Sequence, residues 1–210
     1  MDLWAAIAEE RESLIDTLDE LSPEQWATPS LCGEWTVHQV LGHLVVAANP
    51  PRRRVVLETL KARGSFDKAN NVLAREQAER PPPELLTTYR GLVTTRFKPP
   101  GFGPESTLAD ILMHSLDIRI PLGLPTKRPV ERYAPAIELY FTRREQRILG
   151  PRGRPVVHWV ATDLTWQHGA GDDVRGALAD LTLAASGRDA RIDALTGAGQ
   201  PALAAWLRRR

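Results

Sequence analysis

One stretch of the sequence, from Thr107 to Arg119, has the clearest pattern of residues that could do chemistry. If it is a helix, Asp110, His114 and Asp117 fall within an arc of about 60°, because successive residues turn by about 100°. A carboxylate and an imidazole one turn apart can give a transition metal two ligands from one helix, as in the HExxH arrangement. The pattern therefore predicts part of a metal site, and a third ligand has to come from elsewhere.

The best candidate for the third ligand is His43. Thr36 and Gln39 have the capping-box spacing that starts a helix, and the apolar pattern continues that helix to about Asn49. His43 lies away from the centre of the apolar stripe, so it should face a different neighbour. Two interpretations stay open for it: a metal ligand, or a partly buried histidine bonded to a backbone carbonyl.

Composition narrows the class of protein. The chain has 210 residues, 42% of them hydrophobic, and a formal net charge of +1, which excludes a disordered chain and argues against a general nucleic-acid binder. Arginine is clustered at 52–54 and 208–210, without the interleaved aromatic residues that stack on bases. These runs are more simply explained as a solvated helix face and a frayed terminus.

Cysteine content and hydropathy bear on location. Cys32 is the only cysteine, so the chain has no intrachain disulfide and no multi-cysteine zinc cluster. No apolar run reaches about 18 residues, and the first residues lack the layout of a signal peptide. We therefore expect a cytoplasmic protein with no membrane partner.

Periodicity and capping signals predict a helical protein as far as the linker at 150–155. The bundle helices are expected at Leu3–Leu21, Thr36–Asn49, Glu84–Phe97 and from about Glu105 to Pro121. A second segment after Pro50-Pro51 runs towards Arg63, a polar stretch at 67–80 has helical propensity, and a fifth helix is expected at Glu131–Leu149, with Arg143, Arg144 and Arg147 on its late turns.

After residue 155 the period changes. The segments 156–161 and 164–168 are rich in β-branched and aromatic residues, which predicts a β-hairpin. Helices are expected at 174–185 and 200–207. We therefore predict two domains, a helical bundle at 1–150 and a small α+β unit at 151–210 that is too small to bury a core of its own.

Four motifs in order carry a family resemblance: Trp35 to Leu44, Asp110 to Arg119, Thr162 to Gly169, and Gly187-Arg188. Together they resemble the maleylpyruvate isomerase family of mycothiol-dependent enzymes. The resemblance covers nearly the whole chain. It implies a mainly α fold, in which a DinB-like metal-binding four-helix bundle is followed by a small C-terminal α+β unit.

The resemblance also implies a divalent metal, most often Zn²⁺, held by His43, Asp110 and His114. Family members often have glutamate where this chain has Asp110. Because aspartate is one methylene shorter, either the helices approach more closely or the carboxylate binds through water. Three protein ligands and an open fourth position are typical of a catalytic metal site rather than a structural one.

By the same resemblance, mycothiol would act as co-substrate at the open position, with its sulfur deprotonated and nucleophilic. It would attack a small electrophile, in a maleylpyruvate-type isomerisation or a thiol transfer. Arg119 and Arg188 could anchor carboxylates or sugar oxygens by bidentate pairing, although Arg119 could equally form a structural salt bridge. Asp117 could orient a ligating histidine or be a simple helix-end charge.

Two other functions stay open. One is a metal-binding regulatory or interaction module without turnover. The other is a carrier of small apolar ligands. The expected partners are a small electrophile and a low-molecular-weight thiol, with no nucleic acid and no membrane, and a homodimer is left open.

Overall fold

The computed structural model describes residues 1–142 and 153–209, with the side chains of 66 and 67 left out. Backbone contacts divide the chain into two compact units, Met1–Thr126 and Lys127–Arg210. We describe each unit by itself.

The first unit is helical. Its helices are α1 (Leu3–Asp19), α2 (Pro23–Trp26), α3 (Val37–Ala48), α4 (Arg52–Lys61), α5 (Phe66–Gln77), α6 (Pro82–Arg90) and α7 (Pro104–Arg119). The capping box predicted at Thr36 with Gln39 is present, and a second one joins Ser22 and Gln25. Each cap satisfies N–H groups that the first turn of a helix leaves without partners.

Four of these helices form a bundle: α1 packs against α6 and α7, and α3 packs against the same two helices. The apolar stripes predicted from the sequence meet in its centre. Among the fully buried side chains are Ile7, Leu14, Leu18, Leu41, Leu85, Tyr89, Leu108 and Leu112. The bundle therefore fixes α3 and α7, the two helices that carry the candidate ligands, side by side.

Helix α6 ends at Arg90, so the prediction of a helix as far as Phe97 is wrong for its last two turns. The cause is a tertiary contact of Arg11, which is only 2% exposed. Its Nη1 donates to the carbonyls of Leu92, Val93 and Thr95 at 2.9–3.1 Å. The buried guanidinium thus binds backbone carbonyls. In a continuing helix, these carbonyls would instead point along the helix axis.

Helix α5 packs closely against α3, at a point where α3 has a glycine. A Cβ at Gly42 would lie 2.4 Å from the backbone oxygen of Ala74, which is too close for any side chain. Glycine therefore sets the distance between the two helices. The sequence predicted a helix here but did not show that it packs beside His43.

The second unit contains α8 (Tyr133–Phe141), strands β1 (His158–Ala161), β2 (Gln167–Gly169) and β3 (Asp173–Gly176), and helices α9 (Leu178–Ala185) and α10 (Gln200–Leu207). Strand β1 pairs antiparallel with β2, as the hairpin prediction required, and parallel with β3. The helix predicted from 174 is wrong for its first residues. Val174 is fully buried, and its strand pairs with Trp159, a contact that local periodicity cannot reveal.

The predicted fold class is confirmed: the described part of the chain is mainly helical, with a four-helix bundle and a small three-stranded sheet. Helix α8 packs on α9 within the second unit. The domain boundary at 150/151 stays a prediction, and Arg143, Arg144 and Arg147 lie outside the described residues. In the part of the chain that is described, no helix is both long and apolar enough to cross a membrane.

Replacing Gly42 by alanine should lower the free energy of unfolding by about 1–3 kcal/mol, because the new methyl group meets a backbone oxygen of α5. Urea denaturation followed by circular dichroism measures this loss.

Gly91→Ala is the matched control. Gly91 has right-handed helical angles with φ −67, and its Cβ would meet only the oxygen of Thr88, at 3.4 Å. This variant should be neutral or gain up to about 1 kcal/mol. Equal stability of the two variants would contradict the close approach of α3 and α5.

Candidate metal site

His43 on α3 and Asp110 and His114 on α7 converge between the two helices. Asp110 Oδ1 lies 3.2 Å from His43 Nε2 and 3.5 Å from His114 Nε2. The two imidazole rings have centroids 4.5 Å apart. The helices therefore come close enough for the short aspartate side chain to reach both histidines directly.

The partner of each ring fixes which nitrogen carries a proton. His114 Nδ1 lies 2.9 Å from Asp117 Oδ2, and a carboxylate can only accept, so Nδ1 donates. His43 Nδ1 lies 3.0 Å from Asn70 Oδ1, an amide oxygen that also accepts. In both rings Nε2 consequently faces Asp110, and it carries a lone pair whenever the ring is neutral.

This arrangement fits a metal ion. One donor atom from each of the three residues lies within 4.8 Å of the others. A tetrahedral site with bonds of about 2.0–2.1 Å has ligand atoms about 3.3–3.4 Å apart, close to the spacings of Asp110 from the two histidines. Imidazole and carboxylate are ligands of zinc and of other divalent transition metals.

The pKa shifts in the cluster also favour a bound cation. Burial raises the pKa of Asp110, but the neighbouring His43 and His114 outweigh it and hold the pKa well below its ordinary value. Burial lowers the pKa of His114, yet the Asp110 carboxylate and hydrogen bonds to Asp110, Asp117 and Cys32 raise it well above its ordinary value. The site therefore favours positive charge between its donor atoms.

The site is closed on the histidine side and open at the carboxylate. His43 and His114 are 6% and 8% exposed, whereas the Asp110 side chain is 32% exposed. Trp35 lines the closed side, with its ring centroid 5.2 Å from that of His43, and its Nε1 donates to Asn71 Oδ1 at 3.0 Å. Of the three candidate ligands, Asp110 is therefore the one that solvent reaches most.

Three contributors were missed by sequence reasoning. Asn70 lies in a polar stretch whose spacing gave no sign of a role, and Trp35 was treated only as part of the helix start. Cys32 forms a hydrogen bond with His114, and Cys32, His114 and Asp117 make a second group of close donor atoms. All three come from the loop before α3 or from α5, which local pattern does not connect to α7.

Asp117 is fully buried and bonds the imidazole of His114, the geometry expected of a residue that orients a ligand. Arg119 is also buried. Its guanidinium donates to Ser115 Oγ, to the backbone oxygen of Pro125 and to that of Ser13 on α1, at 2.9–3.1 Å. These bonds favour a structural role, and its anchoring of a substrate stays a prediction.

Arg188 is half-buried in the second unit, where its Nη1 lies 3.2 Å from Ser186 Oγ. Its predicted anchoring role likewise stays a prediction.

Comparison with known proteins gives one family and one fold. Residues 7–99 match the family model of the mycothiol maleylpyruvate isomerase N-terminal domain. No curated protein sequence matches the chain. The crystal structures of the mycothiol-dependent maleylpyruvate isomerase and of a histidine-to-alanine mutant each match with a TM-score of 0.64 at 14% identity, over 95% of this chain and 92% of that chain.

The family match and the fold match agree with each other. At 14% identity the structural likeness establishes the fold alone. The family model matches residues 7–99, which contain α3 and His43. That segment is therefore similar to the mycothiol maleylpyruvate isomerase N-terminal domain family.

Proposed function

We propose that this protein is a metal-dependent enzyme that uses a low-molecular-weight thiol, mycothiol by family, to attack a small electrophile. One observation carries the proposal: three lone-pair donors converge at the spacing of a metal site, and the Asp110 side chain among them is 32% exposed to solvent. A structural metal site would be closed on all sides, whereas a catalytic one keeps a position for substrate.

The residues of this chain have distinct tasks in the proposal. His43, Asp110 and His114 would hold the metal, while Asn70 and Asp117 accept the Nδ1 protons and keep both Nε2 atoms turned inward. A divalent metal held there would lower the pKa of a coordinated thiol, making its sulfur nucleophilic at neutral pH. Trp35 excludes water from the histidine side.

Isomerase and transferase share the first step, in which a thiolate adds to an electrophilic carbon. In isomerisation, rotation about the former double bond and loss of the thiolate return the thiol unchanged. In transfer, the new carbon–sulfur bond remains. The family favours isomerisation, and consumption of the thiol distinguishes the two.

The two other functions stay as alternatives. An interaction module would bind metal without turnover, and an apolar-ligand carrier would bind its ligand after the metal is removed.

Protein purified without added metal or chelator should contain about one divalent ion per chain, with zinc the expected metal. His43→Ala and His114→Ala should both lose it, because each removes one of three protein ligands. Elemental mass spectrometry of the three proteins measures the content, and circular dichroism confirms folding.

His38→Ala is the control, since His38 lies on the same helix and its Nε2 bonds no described group. A wild-type protein that stays empty when zinc is offered would contradict both the metal site and the activated-thiol chemistry.

Asn70→Ala should weaken metal affinity by about tenfold to a hundredfold, because the His43 ring loses the group that fixes its orientation. Asn70→Asp should restore most of the affinity, since its carboxylate also accepts the Nδ1 proton. Competition with a chromogenic zinc chelator measures both constants. Unchanged affinity in Asn70→Ala would show that packing alone orients His43.

Isomerisation of maleylpyruvate should require both mycothiol and the metal, and the activity should be lost on chelation and return with zinc. Absorbance during turnover measures the rate, and a thiol assay shows whether mycothiol is consumed. Metal and thiol binding without turnover would favour the interaction module. Apolar-ligand binding that survives chelation would favour the carrier.

A further inference from the structure

Helix α4 turns its apolar side chains towards solvent. Val56, Leu57 and Leu60 are 60%, 43% and 71% exposed, whereas Glu58 of the same helix is 6% exposed. Helices of globular proteins normally bury the apolar stripe and expose the charges. An exposed aliphatic cluster of this kind marks an interaction surface.

Charge pairs hold the polar side of α4 in place. Glu58 Oε1 lies 3.1 Å from Arg54 Nη1 and 2.9 Å from Lys61 Nζ. Arg54 Nη2 also reaches Glu76 on α5, at 2.5 Å. Two of these pairs lie within α4, and the third, between Arg54 and Glu76, joins α4 to α5.

Cations flank the aliphatic cluster. At about 100° per residue, the arc that holds Val56, Leu60 and Leu57 runs from Arg52 at one edge to Lys61 at the other, with Arg53 between them. The side chains of Arg52 and Arg53 are exposed and form no ion pair or hydrogen bond with the residues that the structure describes.

Arg63, just past the end of α4, is also exposed, and its side chain makes no such bond among the described residues. It has φ 53, a left-handed conformation that glycine adopts at lower cost.

We propose that α4 lies on an anionic lipid surface, with Val56, Leu57 and Leu60 in the headgroup region and Arg52, Arg53 and Arg63 on lipid phosphates. Aliphatic side chains flanked by cations are the pattern of helices that lie in a membrane interface. The helix has 10 residues, too few to span a bilayer, so it would lie on the surface. The proposal is independent of the metal site and would revise the expectation of no membrane partner.

Two other occupants fit less well. Nucleic acid would need aromatic or polar groups to contact bases, and residues 52–63 contain no aromatic residue. A second copy docking through the same face would bring like charges together, since the acid of α4, Glu58, is buried and paired.

The test is sedimentation of the full chain with vesicles of phosphatidylcholine alone and of phosphatidylcholine mixed with phosphatidylglycerol. We expect binding only to the mixed vesicles, weakened by added salt. Replacing both Arg52→Gln and Arg53→Gln should reduce partitioning about thirtyfold, from the usual contribution of a cation near an anionic surface. Leu60→Gln should reduce it about tenfold.

The controls are Arg96→Gln and Val156→Gln, an exposed cation and an exposed aliphatic residue outside α4. Both should bind like the wild type. The proposal is overturned if the protein ignores anionic vesicles, or if the control variants weaken binding as much as the α4 variants do.

Light scattering after gel filtration tests the second copy as occupant. A dimer that Leu60→Gln dissociates, without vesicle binding, would assign the face to self-association and overturn the proposal. Retention on heparin or polyglutamate without vesicle binding would assign this face of α4 to an acidic macromolecule and would also overturn the proposal.

Discussion

Three lone-pair atoms that face one another beside two buried histidines are the constraint on which the rest of the site depends. The Nε2 atoms of His43 and His114 both face Asp110 Oδ1 at 3.2–3.5 Å, and without positive charge between them this contact would be repulsive. A cation, either a metal ion or protons on the rings, has to compensate. The lowered pKa of Asp110 and the raised pKa of His114 have the same cause, the attraction between the carboxylate and positive charge beside it.

The surrounding structure keeps these atoms in place. Asn70 and Asp117 hold the far sides of the two rings, so that neither imidazole can turn its lone pair away. Asn70 reaches His43 because α5 packs against α3, and that approach depends on the missing side chain at Gly42. A glycine with no chemistry of its own therefore supports the geometry of a candidate metal ligand.

Helix α4 also departs from the usual pattern, in which a helix buries its apolar side chains and exposes its charged ones. Its buried acid and exposed leucines cost stability within the fold, because aliphatic area stays in water. Such departures are expected at functional surfaces rather than in the supporting core. The same first unit thus presents a candidate metal site and a surface suited to an anionic partner.

Local sequence determined what depends on near neighbours along the chain. The spacing of Asp110 and His114, the cap at Thr36, and the apolar stripes of the bundle helices predicted the fold class and the candidate ligands on α7. Tertiary contacts decided the rest. Helix α6 ends early because Arg11 binds the backbone carbonyls that follow it. Val174 lies in a strand because that strand pairs with β1. The partners of His43 come from a helix whose polar spacing carries no signal, because its position depends on a close approach and not on periodicity.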